Sequence, residues 1–189
     1  MSTKPTKDFI VEVADRLFYM NGYEKTSFAK IAEEVKISRG NFYYHFKTKD
    51  EILKAVIKLR IERTQKMLDK WENDGKNPKD RIKHFINILI TNRTKIKRFG
   101  CPVGTLSTEL AKLNHASKNE ANKLLSLFRN WLVKQFTLMG YGADADEMAM
   151  HLLARSQGIA TLANAFHDDK FIRHEVKQMC DWLDTYENH

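Results

Sequence analysis

Thr26-Ser27-Phe28-Ala29-Lys30-Ile31-Ala32-Glu33-Glu34-Val35-Lys36-Ile37-Ser38-Arg39-Gly40-Asn41-Phe42-Tyr43-Tyr44-His45-Phe46 decides how this chain folds. Phe28, Ile31, Ala32 and Val35 recur at spacings of three and four, the period of one buried helical face. Lys36-Ile37 reads as a turn, with Ile37 directed inward. Ser38 is a good N-cap for a second helix, because its hydroxyl accepts a backbone N–H that the first turn leaves without a partner. Phe42 and Phe46, four residues apart, pack back on the first helix, while Asn41, Tyr43, Tyr44 and His45 point outward. Two short helices joined by a tight turn, with polar and aromatic groups on the outer flank of the second, follow helix-turn-helix logic. One helix crosses a DNA backbone and the next enters the major groove.

Charge supports that reading. The 189 residues carry a formal net charge of +8, with pI near 9.4. Between residues 25 and 49, six basic residues (Lys25, Lys30, Lys36, Arg39, Lys47, Lys49) face two acidic ones (Glu33, Glu34), so half of the net charge sits on this segment. A basic patch on such a motif attracts phosphates, and counterion release makes the binding salt-dependent. The bland alternative is a solvated lysine-rich face. Charged residues throughout positions 4–16 break any signal-peptide core, and no run reaches the roughly 18 apolar residues of a membrane span. Cys101 and Cys180 are too few for a secreted disulfide framework. The expected compartment is the cytoplasm, with no membrane partner.

Working outward from the motif, nearly every segment shows helical period. Ile10, Val13, Ala14, Leu17 and Phe18 form the stripe of a first helix, stopped near Gly22. Thr48-x-x-Glu51 is a capping box opening a long helix that runs to about Asn73-Asp74-Gly75. Asn77-Pro78 opens the next, and Gly100-Cys101-Pro102 breaks the chain again before a short helix through Leu113. Ser117-x-x-Glu120 and Asp144-x-x-Glu147 read as further capping boxes, and Asp168 starts a last helix. The expected fold is all-α with about nine helices: a helix-turn-helix DNA-binding domain at 1–47 and a larger helical domain at 48–189.

Gly22-Tyr23, Thr26-Ser27, Ile31-Ala32, Ser38-Arg39-Gly40-Asn41-Phe42-Tyr43-Tyr44-His45-Phe46 and Thr48-Lys49-Asp50-Glu51-Ile52-Leu53 together resemble the tetracycline-repressor (TetR/AcrR) family of transcriptional regulators. The match runs over roughly residues 8–55. It implies a helical ligand-binding and dimerisation domain beyond residue 60, and a DNA-binding set of Thr26, Ser38, Arg39, Gly40, Asn41, Tyr43, Tyr44, His45 and Lys49. Asn41 and Tyr44 are the candidates for base edges; Thr26, Ser38, Tyr43, His45 and Lys49 for phosphates, which position without reading sequence. Lys49 opens a helix whose free N–H groups add to phosphate attraction. Gly40 either lets the backbone approach DNA closely or packs tightly on the partner helix. His45, Tyr43 and Tyr44 could instead belong to the core.

The resemblance also implies a homodimer through the last two helices, about 145–166 and 168–186, where the small residues Ser156, Gly158, Ala160 and Ala163 permit close approach; an intramolecular core explains them too. Trp71, Phe85, Phe99, Phe128, Trp131 and Phe136 offer aromatic walls for an apolar, aromatic or electrophilic inducer, with His84 or Asn92 to orient a polar group. Each could be plain core. Cys101 falls at a helix N-terminus after Lys95, Lys97 and Arg98, a setting that favours the reactive thiolate, and the segment is similar to family members that sense electrophiles or oxidants. The alternative is a buried cysteine acting as a small hydrophobe. Cys180 reads as structural. No Gly-rich phosphate loop, metal-ligand spacing or nucleophilic triad is present, so neither an enzyme, a cofactor nor a metal is expected. The leading expectation is a repressor on a pseudo-palindromic operator, released by an inducer or a modified cysteine. The competing one is an architectural DNA-binding protein without sequence preference.

Overall fold

In a computed structural model that describes residues 6–186, the chain forms α1 (Thr6–Asn21), α2 (Phe28–Val35), α3 (Arg39–His45), α4 (Lys49–Asp74), α5 (Pro78–Thr91), α6 (Arg93–Phe99), α7 (Pro102–Lys112), α8 (Lys118–Leu138), α9 (Ala145–Phe166) and α10 (Asp169–Asp184). The fold is all-α. The tenth helix arises at Asn92, where φ −101° and ψ 8° divide the helix expected between Asn77 and Phe99 into α5 and α6. Neither Gly nor Pro marks that break. Asn92 makes it by turning its own amide back to the Ile88 carbonyl at 3.2 Å.

Several helix starts follow the local rules. Ser27 and Ser38 accept the Lys30 and Asn41 amides at 3.0 and 3.3 Å, Thr48 accepts that of Glu51 at 3.2 Å, and Asn77 that of Asp80 at 2.9 Å. Asp168 accepts from Lys170 and Phe171 at 2.8 and 3.1 Å. Each such oxygen satisfies an amide that the first helical turn leaves open. Two expected caps do not form. The Ser117 hydroxyl is buried without a hydrogen-bond partner, while the Ser117 amide donates to His115 Nδ1 at 3.0 Å. Asp144 makes no side-chain cap bond at α9, since its backbone sits at ψ 0° rather than in the extended conformation a cap needs.

The chain packs as two units, one holding the residues up to Arg63 with Thr105–Asn122, the other Thr64–Gly104 with those from Lys123 on. The sequence division at 47/48 was drawn where the DNA motif ends; by packing, the first unit runs on through half of α4 and also takes in most of α7. Its core joins α1, α2, α3, α4 and α7 through Ile10, Ile31, Phe42, Leu53, Ile57 and Leu110, each fully buried. Inside it Arg60 Nε meets Asp15 Oδ1 at 2.5 Å, a largely desolvated pair that ties α4 to α1. The second unit closes around Ile82, Ile86, Leu132, Phe136, Leu152 and Met179. Among the described residues no helix is long and apolar enough to cross a membrane.

Candidate nucleic-acid interface

The two helices of the motif meet through aromatic edges. Phe42 is fully buried, its ring 4.9 Å from that of Phe28, which also meets Tyr43 at 5.3 Å. Phe46 is buried too, so α3 presents one sealed face. The turn at Lys36 is left-handed, φ 56°, where the Lys36 amide still bonds to the Glu33 carbonyl at 3.2 Å. A non-glycine residue there costs some strain, and that turn sets the angle between α2 and α3.

The opposite face of α3 is open. Ser38, Arg39, Gly40, Asn41, Tyr43 and Tyr44 are exposed, and His45 is half-buried beside the Tyr44 ring at 5.2 Å. Tyr44, at 78% exposure, protrudes furthest. Among the described residues, neither the side-chain amide of Asn41 nor the Tyr44 hydroxyl has a hydrogen-bond partner, so both retain their bonding capacity. Asn41 and Tyr44 lie three apart on one flank, with Gly40 beside them. A Cβ at Gly40 would meet nothing within 4 Å, so packing on the partner helix does not explain that glycine.

Around this flank Lys25, Lys30, Lys36 and Lys47 are exposed. Glu34 is drawn away by Arg16 at 2.7 Å, which leaves the positive charge of α2 and α3 less compensated. Lys49 is held differently. Its ammonium donates to the Tyr23 carbonyl at 3.1 Å and sits 4.1 Å above the Tyr23 ring. Two donor hydrogens remain for an incoming anion.

Thr26 requires a correction. Its side chain is fully buried and its hydroxyl donates to the Gly22 carbonyl at 2.7 Å. The threonine fastens the turn between α1 and α2 and offers no hydroxyl to a phosphate. Sequence pattern placed it beside Ser27 at a helix start, and burial by the rest of the unit could not be read from it.

Outside this interface the second unit gathers most of the expected aromatic set. Trp71 lies 5.6 Å from Trp131 and stacks on His84 at 6.4 Å, and Phe85 lies 5.7 Å from Phe128. Phe99 instead lies under the Arg98 guanidinium at 5.0 Å. One polar residue was missed: Gln135, fully buried one turn after Trp131. The Trp131 Nε1 donor and the Gln135 Oε1 acceptor are buried without a hydrogen-bond partner. Such orphans are costly. Cys101 is half-buried, and its sulfur accepts the Gly104 amide at 3.4 Å at the start of α7. Lys97, one of its expected cations, is paired with Asp169 at 3.1 Å. Burial pushes the Cys180 thiol up, in keeping with a structural role.

Of the small residues on α9, Ser156, Ala160 and Ala163 are buried in the unit's own core, the intramolecular alternative of the two. Gly158 is exposed. It lies instead on a row repeating every four residues, Met150, Ala154, Gly158, Leu162 and Phe166, each exposed.

Residues 10–56 match the family described as bacterial regulatory proteins, tetR family. Over those residues the chain belongs to the tetR family. Along most of its length it is similar to an uncharacterized helix-turn-helix transcriptional regulator of Lactococcus lactis, 28% identical over 86% of this chain and 85% of its own length. The transcriptional repressor DhaR of a Mycobacterium species is 26% identical over 72% of this chain and 66% of its own. The TetR regulator of Legionella pneumophila, 24% identical, superposes with a TM-score of 0.84 over 99% of this chain and all of that one. By that match the protein is a DNA-binding transcriptional regulator.

Proposed function

We propose that the chain is a cytoplasmic homodimeric repressor whose two copies of α3 read a pseudo-palindromic operator, and that an inducer releases it. The observation that carries this reading is the two-faced α3, sealed inward by Phe42 and open outward at Asn41 and Tyr44. A seven-residue helix alone buries too little surface for tight binding, whereas a two-fold pair engages two successive major grooves. Residues 1–47 then read DNA, and 48–189 dimerise and take the inducer. Asn41 and Tyr44 touch base edges, with Arg39 and the Gly40 backbone alongside. Ser38, Tyr43, His45 and Lys49 touch phosphates. The apolar row on α9 has the four-residue period of ridges that pack between helices, which supports dimerisation through α9 and α10.

The inducer reading rests on Trp71, Phe85, Phe128 and Trp131. The orphaned Trp131 donor and Gln135 acceptor favour an aromatic molecule carrying both an acceptor and a donor. Phe99 and Cys101 flank the start of α7, and an electrophile reacting at Cys101 is a second route to release. Either agent would work by population shift, favouring a spacing of the two α3 helices that misses successive grooves. Cys101→Ser should abolish release of DNA by quinones or aldehydes while leaving DNA affinity unchanged; an undiminished response removes the cysteine from the mechanism.

The function is tested by selecting duplexes from a random pool and measuring competition by random DNA. A repressor keeps a specificity ratio of roughly a thousandfold or more. A ratio near one returns the protein to the architectural reading. On a selected duplex, Tyr44→Ala should cost roughly 1–3 kcal/mol and flatten the preference among base variants. Lys49→Ala should weaken every duplex alike and reduce the salt slope by about 1. Identical behaviour of the two variants would show that base and phosphate contacts have been sorted wrongly.

A further inference from the structure

We propose that Glu109 and His115, far along the chain from the DNA motif, are positioning residues for DNA binding that act through Tyr23 on Lys49. The inference rests on the reading of Lys49 as a phosphate contact.

Tyr23 is buried between α1 and α2 and is gripped at both ends. At the backbone end, the Glu109 carboxylate accepts the Tyr23 amide on Oε2 and the Glu24 amide on Oε1, each at 2.9 Å. Two consecutive amides aimed at one carboxylate form a small anion nest, filled here by the protein's own side chain. Gly22 makes room for it: φ is +85°, and a Cβ there would lie 3.0 Å from Glu109 Oε1. At the ring end, the Tyr23 hydroxyl donates to Asp50. His115 Nε2 stands 3.2 Å from that hydroxyl and 3.5 Å from Asp50 Oδ1. The imidazole is itself oriented, because Nδ1 accepts the Ser117 amide; Nε2 then carries the ring proton toward the Tyr23–Asp50 pair.

What Tyr23 presents is Lys49. The ammonium donates to the Tyr23 carbonyl and rests over the Tyr23 ring. A lysine on a free surface loses rotamer entropy when it meets a phosphate, and one already held loses less. Glu109 and His115 fix the residue that fixes the lysine, so part of the affinity for DNA is stored in α7 and the turn after it. No short-range signal announces this, since Glu109 and Tyr23 are 86 positions apart.

The test is a double-mutant cycle between Glu109→Gln and Lys49→Gln, read as binding of a labelled duplex selected by the wild-type chain. Gln fills the same space as Glu and can accept only one amide on its oxygen. Lys49→Gln alone must weaken binding; if it does not, the phosphate reading of Lys49 fails and this inference with it. With that established, Glu109→Gln alone should weaken binding about threefold to thirtyfold, and the double variant should lose little beyond Lys49→Gln. Full additivity overturns the proposal, because a loss arising merely from a looser fold would not depend on the lysine. Hydrogen exchange supplies an independent readout: the Tyr23 and Glu24 amides should lose protection in Glu109→Gln while the α4 core amides keep theirs. Unchanged protection at those two amides also overturns it. Should Glu109→Gln not fold, Tyr23→Phe enters the same cycle, since it removes only the phenol bonds to Asp50 and His115. Additivity of Tyr23→Phe with Lys49→Gln then has the same overturning force.

Discussion

Phe42→Ala is expected to lower the stability of the DNA-reading unit by about 3–5 kcal/mol, the cost of emptying a fully packed aromatic site. The reason is specific to α3. Seven residues form too short a helix to persist in water on backbone bonds alone, so α3 exists because Phe42 and Phe46 fix it to the core. Phe42 is wholly enclosed and makes edge contacts with the Phe28 ring at 4.9 Å and the Tyr43 ring at 6.4 Å. Removing its ring leaves a cavity among Phe28, Ile31 and Leu53 and frees the exposed flank to tilt. Urea unfolding of the variant should show a lower midpoint, with a loss of DNA binding beyond what the unfolded fraction explains. Phe42→Leu, which keeps most of the volume, should cost less than half as much. A loss below about 1 kcal/mol for the alanine variant would mean that something other than this ring anchors the helix.

Much of this arrangement was legible in the sequence because it is local. The spacing of Phe28, Ile31, Phe42 and Phe46 encodes two faces within 19 residues, and the caps at Ser38, Thr48, Asn77 and Asp168 are decided by the four residues that follow each. Where the reading failed, the deciding contact came from elsewhere in the chain. The resemblance implied a phosphate contact for Thr26, whose hydroxyl the Gly22 carbonyl claims. Ser117 has the cap residue type, yet its buried hydroxyl meets no donor. The small residues of α9 show a helical period, yet period alone does not say which face meets the chain's own core; Ser156, Ala160 and Ala163 turned inward and Gly158 outward. Glu109 carries no motif at all, and only the folded chain brings its carboxylate to the Tyr23 amide.

The Tyr23 hub also gives the unit an acid limit. The hydrogen bond from Tyr23, helped by that from His115 and by the charge of Lys49, holds the Asp50 carboxyl below its ordinary range against the opposing effect of burial. A carboxyl depressed in the folded state contributes stability that is present above its unfolded pKa and is lost as pH falls through the folded one. Burial, followed by the bond and charge of Asp50, pushes the Tyr23 phenol up, so the phenol keeps its proton at neutral pH and remains the donor. Asp50 and Lys49 are consecutive, and the acid that steadies Tyr23 also stands beside the cation that Tyr23 presents. Acid thus loosens the support of Lys49.

Leu162→Asp should convert the protein to a monomer, raising the dimer dissociation constant by more than about three decades, at least roughly 4 kcal/mol. The argument begins with what Leu162 does within one chain, which is little: it is 44% exposed and stands on the outer row of α9 with Phe166 at 74%. A single exposed leucine needs no explanation, but five uncharged residues repeating every four positions along one helix make a continuous apolar ridge. Gly158 at its middle has no atom within 4 Å of a would-be Cβ, so a second helix can approach the backbone closely there. In the proposed two-fold assembly the ridge would meet its own copy, and one substitution would install two carboxylates in an apolar surface. Leu138→Asp, 53% exposed on α8 and off the ridge, serves as the control and should stay dimeric. Sedimentation velocity reads the association state, and circular dichroism should show both variants folded. DNA affinity of the Leu162 variant should fall toward that for random duplexes, because one α3 then meets one groove. A Leu162→Asp protein that sediments as the wild-type dimer would remove α9 from the interface, and with it the geometric basis for spacing two reading helices one helical turn apart.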